Sequence, residues 1–220
     1  MLWGAPRTLL FDIRTLEEEK RIPILPVRAD SPMAKAATEA YLRAVEEHDA
    51  ETQQIRAERR NPYRTHSMIF ASSAEESKKL NNETGARVII ASSGMMTGGR
   101  IMHHARRVLP DPNAVLVFPG YQSEGTMGRE ILDGAKEVSI FKEPVPVNCQ
   151  IVKLDGFSAH ADYEEILTWL EPLRIKPPQR AFVVHGDPPA ASAMAGHLRE
   201  RFGWPVSVPD YGDSYELKPV

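Results

Sequence analysis

The stretch VIIASSGMMTGGRIMHHARRVL, residues 88–109, shows how this chain is built. It begins with a short apolar run rich in branched side chains, which is typical of a buried strand. A loop with three glycines follows, and residues 99–109 are then predicted to form a helix. A strand, a loop and a helix in this order are the repeating unit of α/β proteins, so the stretch predicts that fold class.

The same order of elements recurs on both sides of this stretch. Strands are predicted at IPILPV (22–27), MIFAS (68–72), AVLVF (114–118), EVSIF (137–141), VNCQIVKL (147–154), RAFVV (180–184) and WPVSV (204–208). Helices are expected between them, and two begin at capping boxes formed by Ser73 with Glu76 and by Asp162 with Glu165. Strands that alternate with helices predict a mostly parallel sheet flanked by helices.

The composition limits the classes of protein to which the chain can belong. It has 220 residues and 42% hydrophobic content, which is enough to bury a core in one large domain or in two smaller ones. The 27 basic and 30 acidic residues give a net charge of −3. The overall charge therefore does not indicate nucleic-acid binding, although it is compatible with a local basic groove.

The single cysteine, Cys149, excludes a disulfide within the chain and a zinc site built from several cysteines. No run of eighteen apolar residues occurs, and the first residues lack the long apolar core of a signal peptide. We therefore expect no membrane segment and a reducing, cytoplasmic setting.

Ligands of α/β sheets usually bind at the loops that follow the strands. Four such loops are rich in polar groups: ASSGMMTGGR (91–100), FPGYQSEGTMGR (118–129), FSAHAD (157–162) and VVHGDPP (183–189). The first offers the hydroxyls of Ser92, Ser93 and Thr97 and the glycines Gly94, Gly98 and Gly99. Its backbone N–H groups could approach an anion, but it matches neither the dinucleotide fingerprint nor the P-loop. A plain tight turn is the alternative.

Two histidines lie in the other loops. His160 precedes the helix that begins at Asp162, where its side chain can face a ligand; a surface-turn histidine is the alternative. His185 follows a predicted strand, which suits a metal ligand or a general acid or base. The alternative for His185 is a loop histidine that is hydrogen-bonded to the backbone.

Two further histidines, His103 and His104, are adjacent in the helix predicted after the glycine-rich loop. Neighbouring side chains on a helix point about 100° apart, so this pair is not suited to chelate one metal ion. We expect both at the surface or in a groove, close to Arg100, Arg106 and Arg107.

Several motifs occur together and in order: VIIASSGMMTGGRIMHH, LVFPGYQSEGTMGREILDGAKEV, GFSAHAD and FVVHGD. In this order and spacing they resemble the metallo-β-lactamase-fold nucleases of the β-CASP group, which includes bacterial and archaeal RNA-degrading enzymes and the eukaryotic pre-mRNA 3′-end cleavage endonuclease. The segment RIPILPVRADSPMAKAATEAY is also similar to the start of the inserted β-CASP domain. The resemblance implies a β-CASP domain over residues 1–146, partial at its start, and the C-terminal portion of a metallo-β-lactamase fold over residues 147–220.

The resemblance also implies roles for particular residues. His160 matches the motif B histidine, which acts as a general acid or stabilises the leaving group at the scissile phosphate, and His185 matches the motif C histidine, a zinc ligand in the RNA-cleaving members. DNA-processing relatives tend to carry valine at the latter position, so a histidine favours RNA. Asp187 departs from the glutamate common after the HG pair, which affects only local hydrogen bonding. The expected phosphate- and RNA-binding residues are Ser92, Ser93, Gly94, Thr97, Gly98, Gly99, Arg100 and Ser158.

One departure from the family pattern is large. The family holds two zinc ions with an HxHxDH run and further ligands, and this sequence contains no HxH at any position. The motif A carboxylate has no counterpart either. Because zinc needs three or four protein ligands, we expect that this chain alone does not hold the metal and does not hydrolyse RNA.

Three functions remain open at this point. The chain is part of a zinc-dependent ribonuclease, in which a metal-activated water attacks the phosphodiester and His160 assists the leaving oxygen. Alternatively it is a non-catalytic RNA-binding module or subunit, or an α/β domain that binds a small phosphorylated ligand. The expected partners are single-stranded RNA and either a second copy of the chain or a chain that supplies the metal-binding half. The C-terminal part should then expose an apolar face for that association.

Overall fold

Helices and strands alternate through the computed structural model, which describes residues 4–48, 50–58, 61–157 and 160–216. The helices are α1 (Gly4–Glu18), α2 (Pro32–Arg43), α3 (Ala50–Ala57), α4 (Ala74–Leu80), α5 (Ile101–Val108), α6 (Met127–Leu132), α7 (Tyr163–Leu170) and α8 (Pro188–Phe202). The strands are β1 (Val27–Asp30), β2 (Met68–Phe70), β3 (Val88–Ala91), β4 (Val115–Phe118), β5 (Glu137–Ile140), β6 (Glu143–Pro146), β7 (Gln150–Lys153), β8 (Ala181–Phe182) and β9 (Val206–Ser207).

The strands pair mostly in parallel, as the alternation of elements predicts. β1 lies between β2 and β3 in a three-stranded parallel sheet, and β4 with β7 and β8 with β9 form two further parallel pairs. In the first sheet Asp30 is opposite Ala91, so the loops after β1 and β3 begin side by side. The α/β fold with a mostly parallel sheet and flanking helices is confirmed.

The helix starts follow their capping signals. The side chain of Ser73 accepts a hydrogen bond from the Glu76 amide at 3.1 Å, and the Glu76 carboxylate accepts one from the Ser73 amide at 3.0 Å. Asp162 and Glu165 form the same reciprocal pair at the start of α7, with distances of 2.8 and 3.0 Å. Both predicted capping boxes are confirmed, because short-range hydrogen bonds of this kind depend only on neighbouring residues.

One predicted strand is misplaced and one strand was not predicted, and proline explains both. The strand predicted at residues 22–27 begins only at Val27, because Pro23 and Pro26 lack the N–H that a sheet needs. The strand β6 was not predicted, since its sequence EPVP contains two prolines. Among the described strands it pairs antiparallel with β5 alone, and the open edge of such a two-stranded hairpin tolerates residues without an N–H.

Two compact units divide the chain, residues 1–159 and residues 160–220. The first contains a core around Phe118, Ile131 and Ile140, which also buries Cys149, and a second core around Leu10 and Val27. The second unit packs α7 and α8 on the β8–β9 pair around Leu167, Leu198 and Trp204. Among the described residues, no helix is long and apolar enough to cross a membrane.

The two compact units divide after residue 159, and the domain boundary predicted after residue 146 stays a prediction. β7 pairs with β4 in a parallel ladder that joins Leu116 to Ile151, so residues 150–153 pack within the first unit.

Burial raises the pKa of the Cys149 thiol, just before β7. The thiol is therefore held in its protonated form in this core.

Candidate functional site

The loop of residues 92–100, called here the glycine loop, is closed by its own hydrogen bonds. The Ser93 amide donates to the Gly98 carbonyl at 3.1 Å, and the Thr97 amide donates to the Ser93 hydroxyl at 3.0 Å. The two hydroxyl oxygens of Ser93 and Thr97 lie 3.1 Å apart. At the start of α5 the Ile101 amide donates to the Ser92 carbonyl at 3.0 Å. The loop is thus a preformed turn and not an open connection.

The glycines of this loop have two different roles: the backbone conformation requires glycine at position 99, whereas Gly94 and Gly98 leave space next to the backbone. Gly99 has a φ of +83, and a Cβ there would lie 2.5 Å from the Ser92 carbonyl oxygen. A Cβ at Gly94 or Gly98 would meet no described atom within 4 Å. The amides of Gly94, Gly98 and Gly99 donate no hydrogen bond within the described part of the chain. These three N–H groups can therefore approach an anion that lies against the loop.

A second segment, residues 121–128, is hydrogen-bonded to the glycine loop; it consists of a loop and the first two residues of α6 and is called here the glutamine loop. The side-chain amide of Gln122 donates to the Gly94 carbonyl at 3.1 Å, and the Gly128 amide donates to the Met95 carbonyl at 3.1 Å. Gln122 is only 3% exposed, so it holds the loops together and does not face a ligand. Tyr121 of the same loop is exposed.

The start of α5 is anchored to the carboxyl end of β1 by a buried carboxylate. Asp30 has no solvent exposure and accepts three hydrogen bonds. The donors are the Ser77 hydroxyl at 2.6 Å, the Arg100 guanidinium at 2.6 Å and His104 Nε2 at 2.7 Å. An ionised carboxylate only accepts, so the Nε2 of His104 carries the proton in this arrangement.

These contacts keep Asp30 ionised. Burial raises the pKa of the Asp30 carboxyl, but the hydrogen bonds from Ser77, His104 and Arg100 lower it, and so does the positive charge of Arg100. The net pKa lies below the ordinary value of 3.8.

The sequence analysis did not identify Asp30 as a residue of this site. Its place at the end of a strand and just before the cap residue Ser31 is the signal that could have identified it.

The structure gives Arg100 and His104 a different environment from the one expected. Arg100 was predicted to contact phosphate, but its guanidinium also donates to the carbonyls of Ala71 at 2.9 Å and Ser72 at 3.3 Å. It therefore helps to hold the glycine loop in place, and its predicted contact with phosphate stays a prediction. The prediction that His104 lies at the surface is wrong, because this side chain is 3% exposed and faces Asp30.

The two histidines of the C-terminal loops belong to the second unit. His160 is exposed and lies two residues before the N-cap of α7, as its capping box predicts. His185 is exposed at a φ of +66, in the turn between β8 and α8. Asp187 is the N-cap of α8 and Pro188 its first residue, although the Asp187 side chain makes no capping hydrogen bond. Ser158, predicted to hold phosphate, lies outside the described residues.

The donor set around His185 does not by itself fit a zinc site. Over residues 4–48, 50–58, 61–157 and 160–216, no three histidine, cysteine or carboxylate side chains converge to hold a metal ion. His185 would contribute one nitrogen, whereas zinc in proteins takes three or four ligands. The roles predicted for His160 and His185 stay predictions.

Two family models match consecutive parts of the chain. The Beta-Casp domain matches residues 7–131, and the Zn-dependent metallo-hydrolase RNA specificity domain matches residues 144–209. The first match spans more than half of the chain and contains both the glycine loop and the glutamine loop. The second contains His160 and His185.

Curated relatives extend this similarity. Ribonuclease TTHA0252 from Thermus thermophilus is 38% identical over 88% of this chain and 43% of its own length. The transcription termination factor FttA from Pyrococcus abyssi is 30% identical over 76% of this chain and 26% of its own length. An RNase J-like protein from Methanocaldococcus jannaschii is 29% identical over 95% of this chain and 47% of its own length. The chain spans less than half the length of these relatives, and it belongs to the β-CASP metallo-β-lactamase ribonuclease family.

Proposed function

We propose that this chain carries the RNA-contacting part of a zinc-dependent ribonuclease that acts in the cytoplasm. The match to an RNA specificity domain supports RNA as the ligand, and relatives named as a ribonuclease and as RNase J-like support phosphodiester hydrolysis. The observation that carries the proposal is the glycine loop, which has three backbone amides without an acceptor among the described residues and two adjacent hydroxyls, a set of groups that suits a phosphate.

In the proposed function the glycine loop binds the RNA backbone, and the glutamine loop stabilises the shape of the glycine loop. Gln122 and the Gly128 amide fix the shape of the glycine loop, so its donors are in place before RNA arrives. Contacts from backbone amides to phosphate carry no base information, so binding at this loop is independent of sequence. Asp30 and Arg100 hold the loop against β1 through their ion pair.

The second unit supplies side chains for the chemistry. In the proposed role His160 donates a proton to the ribose oxygen as it leaves, which its exposed position at the start of α7 allows. Ser158, two residues earlier in the sequence, is proposed to help hold the phosphate. His185 is one ligand of a zinc ion that needs further donors from another chain or another part of the protein.

We propose that those donors arrive by association, because the second unit exposes large apolar side chains. Among them are Trp169, Ile175, Phe182, Val184 and Tyr211. Exposed apolar groups on this scale are typical of an interaction surface. The occupant is a second copy of the chain or the chain that supplies the metal-binding half.

One set of measurements on the purified chain tests these proposals together: RNA affinity, zinc per chain and molar mass in solution. Single-stranded RNA should bind with an affinity that falls steeply as salt rises, because phosphate contacts release counterions. Zinc should be held only by an assembly larger than one chain. In an assembly that cleaves RNA, His185→Ala should lower both zinc and cleavage, whereas His160→Ala should keep zinc and slow cleavage about 10²- to 10⁴-fold.

The other outcomes identify the alternatives. RNA binding by an assembly that never holds zinc would identify an RNA-binding module without catalysis. Saturation by a mononucleotide, with no binding of RNA, would identify a small phospho-ligand domain and overturn the proposal. Rapid zinc-dependent cleavage by the monomeric chain would show that residues other than those proposed complete the metal site.

A further inference from the structure

A cavity of about 380 Å³ lies on the side of α5 that His103 shares with two arginines. Its lining residues are Asn81, which ends α4, and His103, Arg106 and Arg107 of α5. Positions 103, 106 and 107 are three and four residues apart, so their side chains leave the helix on the same side. This cavity is part of the first unit and is formed by other residues than those of the glycine loop.

Within the part of the chain that the structure describes, the two guanidinium groups of this cavity keep N–H donors that make no hydrogen bond. Arg106 donates to the Glu143 carboxylate, and Arg107 donates to the Asn81 carbonyl. Each guanidinium has five N–H groups, so most of them remain for a ligand. The planar fork of a guanidinium matches a phosphate, which makes this pair suited to an anion of that kind.

The tip of the β5–β6 hairpin lies beside the same face of α5. Ile140 pairs with Glu143, so Phe141 and Lys142 are the two turn residues, with φ values of +53 and +66. A two-residue hairpin turn of this kind favours asparagine and glycine, because most side chains are strained at positive φ. Glycine would form the turn without that strain. The turn therefore does not require the phenylalanine.

The aromatic ring of Phe141 is placed where it can meet a planar ligand. It is 51% exposed, and its centroid lies 4.8 Å from that of the His103 ring, with 37° between the planes. Exposed aromatic rings beside cationic side chains are typical of surfaces that bind single-stranded nucleic acids, where bases stack on the rings. His103 and Arg107 are four residues apart on the helix, roughly 6 Å along its axis.

We propose that the cavity and the hairpin tip form a subsite for one nucleotide of single-stranded RNA. Its base stacks on Phe141 beside His103, and its phosphate binds Arg106 and Arg107. This inference rests on the proposed RNA-binding function of the chain. A base inside a duplex has both faces covered, so the subsite selects single strands. Stacking and phosphate contacts tolerate any sequence, and the subsite does so too.

Fluorescence anisotropy of the full chain with a labelled, unstructured RNA of about 16 nucleotides tests the subsite. Phe141→Gly removes the ring but suits the turn, so the chain should stay folded while RNA affinity falls roughly 5- to 100-fold. Phe141→Trp should retain the affinity. Arg107→Ala should weaken binding and reduce the slope of log affinity against log salt by about 1.

Two further variants separate the subsite from general charge effects. Arg201 is 51% exposed and paired with Glu171, much as Arg106 is 48% exposed and paired with Glu143, so Arg201→Ala should leave the affinity unchanged. Glu143→Gln removes a carboxylate that competes for Arg106 and should raise the affinity. Unaltered affinity in both Phe141→Gly and Arg107→Ala would overturn the subsite and leave RNA binding by the chain intact. Failure of the unaltered chain to bind RNA would overturn both.

Discussion

His103 and His104 are neighbours on α5, yet one ring is exposed beside Phe141 and the other is buried against Asp30. The arginines of the helix region divide in the same way. The Arg100 guanidinium donates hydrogen bonds to Asp30 and to two carbonyls, whereas Arg106 and Arg107, both at the surface, each have one partner among the residues that the structure describes. Residue type is the same on both faces. The partner from a distant part of the chain decides whether a cation stabilises the fold or is available to a ligand.

The largest expected difference between the buried face of α5, next to Asp30, and its exposed face, next to Phe141, is in the contribution to the free energy of unfolding. Asp30→Asn removes the charge that compensates Arg100 in a buried place and should lower the free energy of unfolding by about 3–5 kcal/mol. Urea denaturation measures this loss. Asp133→Asn is the matched control, because Asp133 is exposed and pairs with Arg129 one turn away on α6; it should cost less than about 1 kcal/mol. A loss below about 1 kcal/mol for Asp30→Asn would remove the distinction between the faces.

The same carboxylate should make the buried face sensitive to acid. The pKa of Asp30 is lower in the folded chain than its ordinary value of 3.8, so its ionisation stabilises the fold fully above that value. The stabilisation is lost as pH falls through the lower, folded pKa. The difference in unfolding free energy between the unaltered chain and Asp30→Asn should therefore be constant near neutral pH and shrink below about pH 3.8. A difference that grows on acidification would show the opposite linkage.

The sequence predicted those features that depend on contacts between residues close together in the chain. The capping boxes at Ser73 and Asp162, the glycine loop and the helix of residues 99–109 all rest on contacts a few residues apart. The role of Arg100 depends on Asp30, 70 residues earlier, and no local pattern reveals that pairing. A basic side chain next to a glycine-rich loop has the same sequence signature whether it faces an RNA or a buried carboxylate.

A smaller effect is expected where the two faces meet, at the start of α5. Gly99→Ala should lower the unfolding free energy by at least about 1–2 kcal/mol, because φ is +83 and the new methyl group would meet the Ser92 carbonyl. Gly98→Ala is the control next to it, since a Cβ there meets no described atom within 4 Å. Thermal denaturation of both variants compares them directly. Equal stability of the two would mean that the closed shape of the glycine loop does not depend on Gly99.

The core beneath β4 and β7 gives the chain an unusual behaviour toward oxidants and alkylating reagents. Cys149 is the only cysteine, it is 7% exposed, and burial raises the pKa of its thiol. Such reagents attack the thiolate, which this environment disfavours and shields. The folded chain should therefore react as though it contained no thiol, and modification of Cys149 would report the opening of this core.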